Sequence, residues 1–415
     1  MRIAVVGSGV SGLVVAWLLH ARHDVTLFEA ADRIGGHVHT HDVEVRGQRL
    51  AIDSGFIVFN DRNYPGFTRL LERLGVATQA SSMSFSVQEE ASGLEWNGSD
   101  LNRLFAQRRN LLRPSFWRMV REIVRFNREA RALLAAPAGD EPTLAEWLAR
   151  RRFARELIDH YVVPMAASLW STPAAQIGDF PARPFARFFD HHGMLQVEGR
   201  PQWRVIAGGS QRYVEKLVAP FRERVRLGCP VESVRRRVDG VELASRAGRE
   251  RFDHVVLALH ADQALRVLAD ATPAEHEVLS ALPYQENVAQ LHHDARVLPR
   301  TRRAWASWNY FVPRTPCEKV TITYGMNELQ SLPTREPCLV TLNRADAIDP
   351  ALVRCTMTYH HPVYTHGGFA AQARWSEISG VAGTHYCGAY WGFGFHEDGV
   401  QSALRVARAF GVELA

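Results

Sequence analysis

The sequence predicts an α/β protein, a parallel sheet interleaved with helices. Three observations carry this prediction. Residues 3–6 read IAVV, a short β-branched strand, followed by Gly7, Gly9 and Gly12 in the pattern G-x-G-x-x-G and by a helix-forming run at 13–20. An acid, Glu29, closes a second strand-like run at 25–29. Near the middle of the chain a helical run at 211–218 precedes strand-like runs at 224–238 and 253–259, with a turn at Asp239 and Gly240. The first two observations describe a Rossmann-like dinucleotide unit. Gly7 permits the tight turn, Gly9 lets the backbone approach a pyrophosphate, and Gly12 lets helix and strand pack closely. The unpaired N–H groups and dipole of the helix start then hold the anion. Glu29 is spaced to hold adenosine ribose hydroxyls, and Ser11 and Ala30 join the cofactor-binding positions.

The continuation Asp32-Arg33-Ile34-Gly35-Gly36-His37 resembles the R-x-G-G element of the flavin-containing amine oxidase and phytoene desaturase superfamily. The resemblance implies FAD, held non-covalently, with Arg33, Gly35, Gly36 and His37 at the cofactor. It also implies an amine oxidase-like architecture in two domains, an interrupted FAD-binding domain and a mixed α+β substrate domain. Further segments match in the family's order. Residues 53–56 resemble its D-x-G segment beside the flavin, which places Gly55 there, with a structural role. Gly208-Gly209-Ser210 leads into the 211–218 helix, and Val231 matches a position whose backbone holds adenine. The stretch 385–407 resembles the closing element, where a glycine-led helix start meets the flavin; Gly388, Asp398, Gly399 and Val400 are the matching positions. Cys387 differs from the family's usual attachment position. The division expected is FAD-binding at 1–80, 198–272 and 376–415, with substrate-domain insertions at 81–197, mostly helical, and 273–375, strand-rich. Strand signals in the insertions fall at 83–87, 94–96, 288–292, 320–324 and 339–342.

Composition supports a chain with a sizeable core: 415 residues, 46% hydrophobic. No apolar run approaches the ~20 residues of a membrane span. The apolar run 13–19 lies inside the glycine fingerprint, so no signal peptide is read. Cys229, Cys317, Cys338, Cys355 and Cys387 are scattered and odd in number, which fits a reduced, cytoplasmic compartment. His37, His39 and His41 alternate and would share one face of a strand, but no fourth ligand accompanies them, and no metal is expected. Lys216 and Lys319 are the only lysines. Residues 101–134 hold nine arginines and two glutamates, an excess of seven positive charges on a chain of net +5. There Arg118, Arg121, Arg125 and Arg128 form one stripe, with Phe116, Val120, Ile123 and Val124 opposite. This reads either as a basic amphipathic helix on an anionic membrane, peripheral on its inner face, or as an ordinary surface helix with its apolar face inward. No nucleic-acid motif accompanies the charge.

The aromatic residues Trp305, Trp308 and Tyr310, and Trp391, Phe393 and Phe395 alternating with glycines, are expected to wall a substrate pocket. His396 and Glu397 are the candidate proton acceptors, as polar groups beside the expected flavin position. Many amine oxidases of the superfamily carry a lysine near the flavin on a strand resembling 287–292; this strand has none. Ala389 follows Gly388 where many relatives place an acid. The wording of residues 56–60, 200–214 and 392–404 resembles a bacterial branch encoded beside cyclopropane-fatty-acid-synthase-type methyltransferases. That resemblance implies a methyltransferase in the same pathway and an unsaturated or methyl-branched acyl substrate, free or in a lipid. The expected function is therefore an FAD-dependent desaturase or dehydrogenase taking hydride from a C–H bond of a hydrophobic substrate. An amine oxidase, and a non-enzymatic flavin-containing lipid- or protein-binding module, remain the alternatives.

Overall fold

The structure, a computed structural model, describes residues 1–414 except 138, 140, 197, 198 and 316. The expected boundary at 197/198 and the final residue of the 376–415 segment lie outside the described residues.

The strand Arg2–Val6 sits at the centre of a five-stranded parallel sheet, between Asp24–Phe28 and His254–Leu257, with Val225–Arg226 and Thr384–Tyr386 at the edges. Three widely separated stretches thus supply one sheet. Alternation buries both of its faces: Ile3 and Val5 join one apolar cluster, Ala4 and Val6 another, as a parallel sheet requires. The first cluster contains the helices Val10–Leu19, Gln211–Val218 and His396–Ala409. The second is covered by an antiparallel sheet of Val231–Arg237, Gly240–Ser245 and Gly248–Phe252.

The two insertions build one seven-stranded sheet. Phe85–Glu89 from the first pairs in parallel with Trp308–Val312 from the second, Phe85 opposite Trp308. Tyr284–His292 lies between Leu339–Leu342 and Val353–Pro362, both antiparallel. The helices Pro114–Ala135, Val163–Trp170 and Ala182–His191 share this sheet's core.

Two sequence expectations are corrected here. The strand at the histidine triplet begins only at Thr40, so His37, His39 and His41 do not share a face. His37 stacks on Tyr359 with centroids 5.1 Å apart, while His39 and His41 lie 3.9 Å from each other. On Pro114–Ala135, the inward face is Phe116, Met119, Phe126 and Ala130, with Val120 and Ile123 packed against the core, but Val124 points outward. Arg125 leaves the expected stripe: it pairs with Glu122 at 2.9 Å and lies over the Phe153 ring.

Candidate active site

A cavity of about 1320 Å³ runs from the glycine turn to the seven-stranded sheet. That exceeds the roughly 300–1,000 Å³ of a single small-molecule pocket, so it has room for a cofactor and a substrate. At one end the backbone is shaped by glycine. Gly7 has φ +102°, and a Cβ added to Gly12 would lie 1.9 Å from the Gly7 carbonyl oxygen, so strand and helix touch backbone to backbone. Gly9 is the opposite case, because a Cβ there meets nothing within 4 Å. The helix Val10–Leu19 begins with no side-chain cap and no acid in its first turn. Its first N–H groups therefore face the cavity as an anion site.

Ser8, the unremarkable x of the glycine pattern, joins the surrounding segments. Its N–H and hydroxyl donate to Glu29 at 2.8 and 2.6 Å, and its carbonyl accepts from Gly35 N–H at 3.0 Å. Glu29 also accepts from Ala31 N–H, which fixes the carboxylate at the cavity wall. Arg33 donates to the carbonyls of Gly36 and Val38 and so closes its own loop. Gly36 and Gly55 let this loop approach: a Cβ on Gly36 would sit 3.0 Å from the Gly9 Cα, and one on Gly55 1.9 Å from the His37 carbonyl.

Towards the middle, His37, His260, His360, His361 and His396 line the wall. Burial lowers His37 to about 4 and His260 and His361 to about 3, and neighbouring histidines lower the latter two further. The His37, His260 and His361 imidazoles are neutral at neutral pH, and His37 Nε2 is buried without a partner. His396 opens the helix His396–Ala409, stacks on Phe56 at 3.5 Å and meets the Tyr213 hydroxyl at 3.1 Å; burial lowers its pKa too. Ser54 and Tyr359, also in the wall, hydrogen-bond at 2.7 Å, and Ser54 meets His41 at 2.7 Å. Beneath them Asp53 is fully buried, accepting from Ser210 N–H at 2.9 Å and from Thr40 and Gln330, so it pins three segments together. Burial raises its pKa to about 6.

The far lobe is mainly apolar and aromatic, walled by Phe85, Trp96, Tyr161, Met165, Leu169, Phe188, Trp308 and Tyr324, with Ser84, Ser168, Ser171 and Arg200 as polar members of the same wall. The acids in the described wall are Glu29 and Glu232, both at the glycine end. Neither lysine reaches it: Lys216 donates to the carbonyls of Leu74 and Gly75, and Lys319 lies 3.7 Å from Glu286 at the surface.

The profile of the family described as flavin containing amine oxidoreductase matches residues 10–293. The chain belongs to this family. FAD is its cofactor, and the uncapped helix start, the open face at Gly9 and the unpartnered His37 nitrogen fit that group. Coproporphyrinogen III oxidase of Mycobacterium tuberculosis (strain ATCC 25618 / H37Rv) is 26% identical over 297 residues, 66% of this chain and 62% of that protein. The chain thus matches less than two thirds of that relative's length. A redesigned putrescine oxidase superposes with a TM-score of 0.72 at 17% identity, covering 99% of this chain and 98% of that one. A CLA-producing fatty acid isomerase from P. acnes superposes at 0.69 and 16% identity, covering 99% and 98%.

Of the flavoprotein's expected cofactor positions, Gly7, Gly9, Ser11, Glu29, Ala30, Arg33, Gly35, Gly36, His37, Gly55, Val231 and Gly388 stand together in the wall. Gly12, Asp398, Gly399 and Val400 stand behind it. Asp398 accepts from Phe395 N–H at 2.9 Å, and a Cβ on Gly399 would lie 2.6 Å from Val10 Cγ1, so these residues bring two helix starts together. Cys387 is buried behind the wall as well. Trp308 and Phe395 line the lobe as expected, but four aromatic assignments are corrected. Trp305 donates to the Pro299 carbonyl and packs on a separate small cluster. Tyr310, two residues beyond Trp308, is buried in the core. Trp391 packs on Tyr390 in the turn before the last helix, and Phe393 packs between Phe188 and Phe369. Glu397 is corrected as a proton acceptor: its carboxylate takes the N–H groups of Gly66 and Phe67, capping the helix Pro65–Arg73. Phe85, Tyr161, Met165 and Tyr324 carry no local signal of a pocket, since only long-range pairing brings them together.

Proposed function

We propose that this flavoprotein is a dehydrogenase or desaturase that removes hydride from a C–H bond of a long hydrophobic substrate of the fatty-acyl class. One observation carries the reading: an apolar lobe, free of acids and lysines among its described residues, continuous with the FAD cradle. A cationic amine would find no counter-charge in that lobe, and burying it unpaired is costly. The fold is shared with a fatty acid isomerase as well as with a putrescine oxidase, so it admits this substrate class and the lining of the lobe carries the choice. FAD, when bound, supplies the two-electron acceptor. The chain's own residues do the rest. Phe188, Met165, Leu169 and Trp308 exclude water and align the chain, and neutral His396 accepts the proton released as the second C–H bond breaks and the double bond forms. Tyr213 holds the His396 ring in place.

Anaerobic mixing tests this. Long-chain acyl substrates are expected to bleach the flavin's visible absorbance, and amines to leave it unchanged. Bleaching by amines alone overturns the substrate class, and bleaching by neither overturns the enzymatic reading. His396→Gln is expected to slow bleaching at least tenfold with flavin content unchanged.

A further inference from the structure

Exposed apolar side chains are concentrated in one place. Of the nine large hydrophobic residues exposed among the described residues, five fall within 101–124: Leu101 at 76%, Leu112 at 88%, Val124 at 63%, Leu111 and Trp117. Two short helical turns, Leu101–Leu104 and Arg108–Leu112, and the outer face of Pro114–Ala135 carry them. Isolated exposed leucines need no explanation, but a contiguous set does.

The charges around this patch are mostly positive and only partly neutralised. Arg103, Arg118, Arg125 and Arg128 each have an acidic neighbour. Four others have none among the described residues. Arg108 and Arg109 donate to backbone carbonyls and the Asn102 amide, which leave their charge intact, and Arg113 and Arg121 make no ion pair. These arginines flank Leu111 and Leu112 along the chain; Trp117, Arg121 and Val124 recur at helical spacing on the exposed face of Pro114–Ala135, and the Trp117 indole donates to the Leu111 carbonyl at 2.9 Å, which joins that face to the preceding turn. The cavity also comes out beside it: Gly98 and Ser99 are solvent-exposed and belong to the cavity wall, two to three residues before Leu101.

We propose that this platform docks the protein on an anionic phospholipid bilayer, with Leu101, Leu111, Leu112 and Val124 entering the interface. Arg108, Arg109, Arg113 and Arg121 then meet the headgroup phosphates. Amphipathic surfaces bind membranes by the sum of these two contributions, apolar burial and attraction to anionic lipid. The binding stands on the surface alone. Only its use, delivery of an acyl chain through the opening at Gly98 and Ser99, rests on the proposed reaction.

The test is cosedimentation of the FAD-loaded protein with vesicles, an assay containing no turnover and so separable from the substrate question. Phosphatidylglycerol-containing vesicles are expected to carry the protein down, pure phosphatidylcholine vesicles to leave it in solution, and rising salt to weaken binding through screening. Leu112→Asp with Val124→Asp, and separately Arg113→Glu with Arg121→Glu, are expected to weaken binding at least tenfold. All four side chains lie outside the core, so the melting temperature and bound-flavin absorbance of these variants are expected to match the parent. Equal binding to neutral vesicles, no binding to anionic ones, or unaltered binding by both double variants overturns the proposal. So does a concentration-dependent doubling of mass without lipid that the same variants abolish, since that assigns the platform to a second copy of the chain.

Discussion

A methyl group added to Gly12 would sit 1.9 Å from a carbonyl oxygen, whereas at the other end of the cavity Phe85 and Trp308, more than two hundred residues apart in sequence, face each other across a parallel strand pair. The cofactor end is shaped mostly by what the backbone must do over residues 7–37, joined by Gly55, Val231 and Gly388. The substrate end is shaped by which side chains a seven-stranded sheet brings together from two insertions. Backbone requirements leave a spacing in the sequence, because only glycine meets them. An apolar wall leaves none, because the residues that line it are the ones that would otherwise fill a core.

The sharpest way to break this contrast lies within the cradle. Gly12→Ala forces backbone against backbone and is expected to cost about 3 kcal/mol or more, at the upper end of overpacking, and to abolish FAD binding. Gly9→Ala puts its methyl into the open cavity from an extended conformation (φ −66°, ψ 177°). It is expected to change apoprotein stability by no more than about 1 kcal/mol while still losing FAD. Urea unfolding of both apoproteins, with flavin content measured on each, checks the pair. Equal destabilisation by the two would mean that Gly9, like Gly12, is a packing glycine.

How much of the molecule was legible follows the same division. The strand 3–6, the Glu29 turn and the Gly35-Gly36 loop were readable because each is a local backbone event. Ser8 was not, since its role depends on Glu29 and Gly35 arriving from elsewhere. The strands Trp308–Val312 and Val353–Pro362 were not read because their residues alternate imperfectly and their partners lie far away. Aromatic residues show why proximity in sequence misleads: Trp308 reaches the lobe, while Trp305 turns to its own small cluster within three positions. Glu397 was misread for a related reason, as an acid beside a cofactor is indistinguishable in sequence from one that caps a neighbouring helix.

A matched pair of substitutions sharpens the contrast at intermediate magnitude. Glu29→Ala removes a charged partner at the cradle and is expected to weaken FAD binding by about 1–3 kcal/mol, with turnover at saturating FAD little changed. Met165→Trp narrows the apolar lobe and is expected to raise KM about tenfold for long acyl substrates, with FAD affinity unchanged. Flavin titration and steady-state kinetics on both variants separate the ends of the cavity. Should Met165→Trp release FAD, or Glu29→Ala raise KM alone, the two ends are not independent.

The smallest effect separates the cavity histidines from the pin beneath them by the sign of a pH dependence. His260 keeps a pKa of about 3 in the folded protein against the ordinary 6.5, through burial and its histidine neighbours. Its contribution is present above 6.5 and is lost as pH falls towards 3, because the unfolded chain takes up the proton first. Asp53 behaves oppositely. Burial raises it to about 6 from 3.8, so its contribution is complete below about 4 and is lost as pH rises through 6. Each slope is at most about 1.4 kcal/mol per pH unit. Between pH 7 and 5, the stability advantage of the parent apoprotein over His260→Gln is expected to shrink, and its advantage over Asp53→Asn to grow. Thermal melts of the three proteins at half-unit pH steps give both differences. A His260→Gln difference that stays flat with pH would place His260 in water and not in a dry cavity wall, which is the property the proposed chemistry requires of that region.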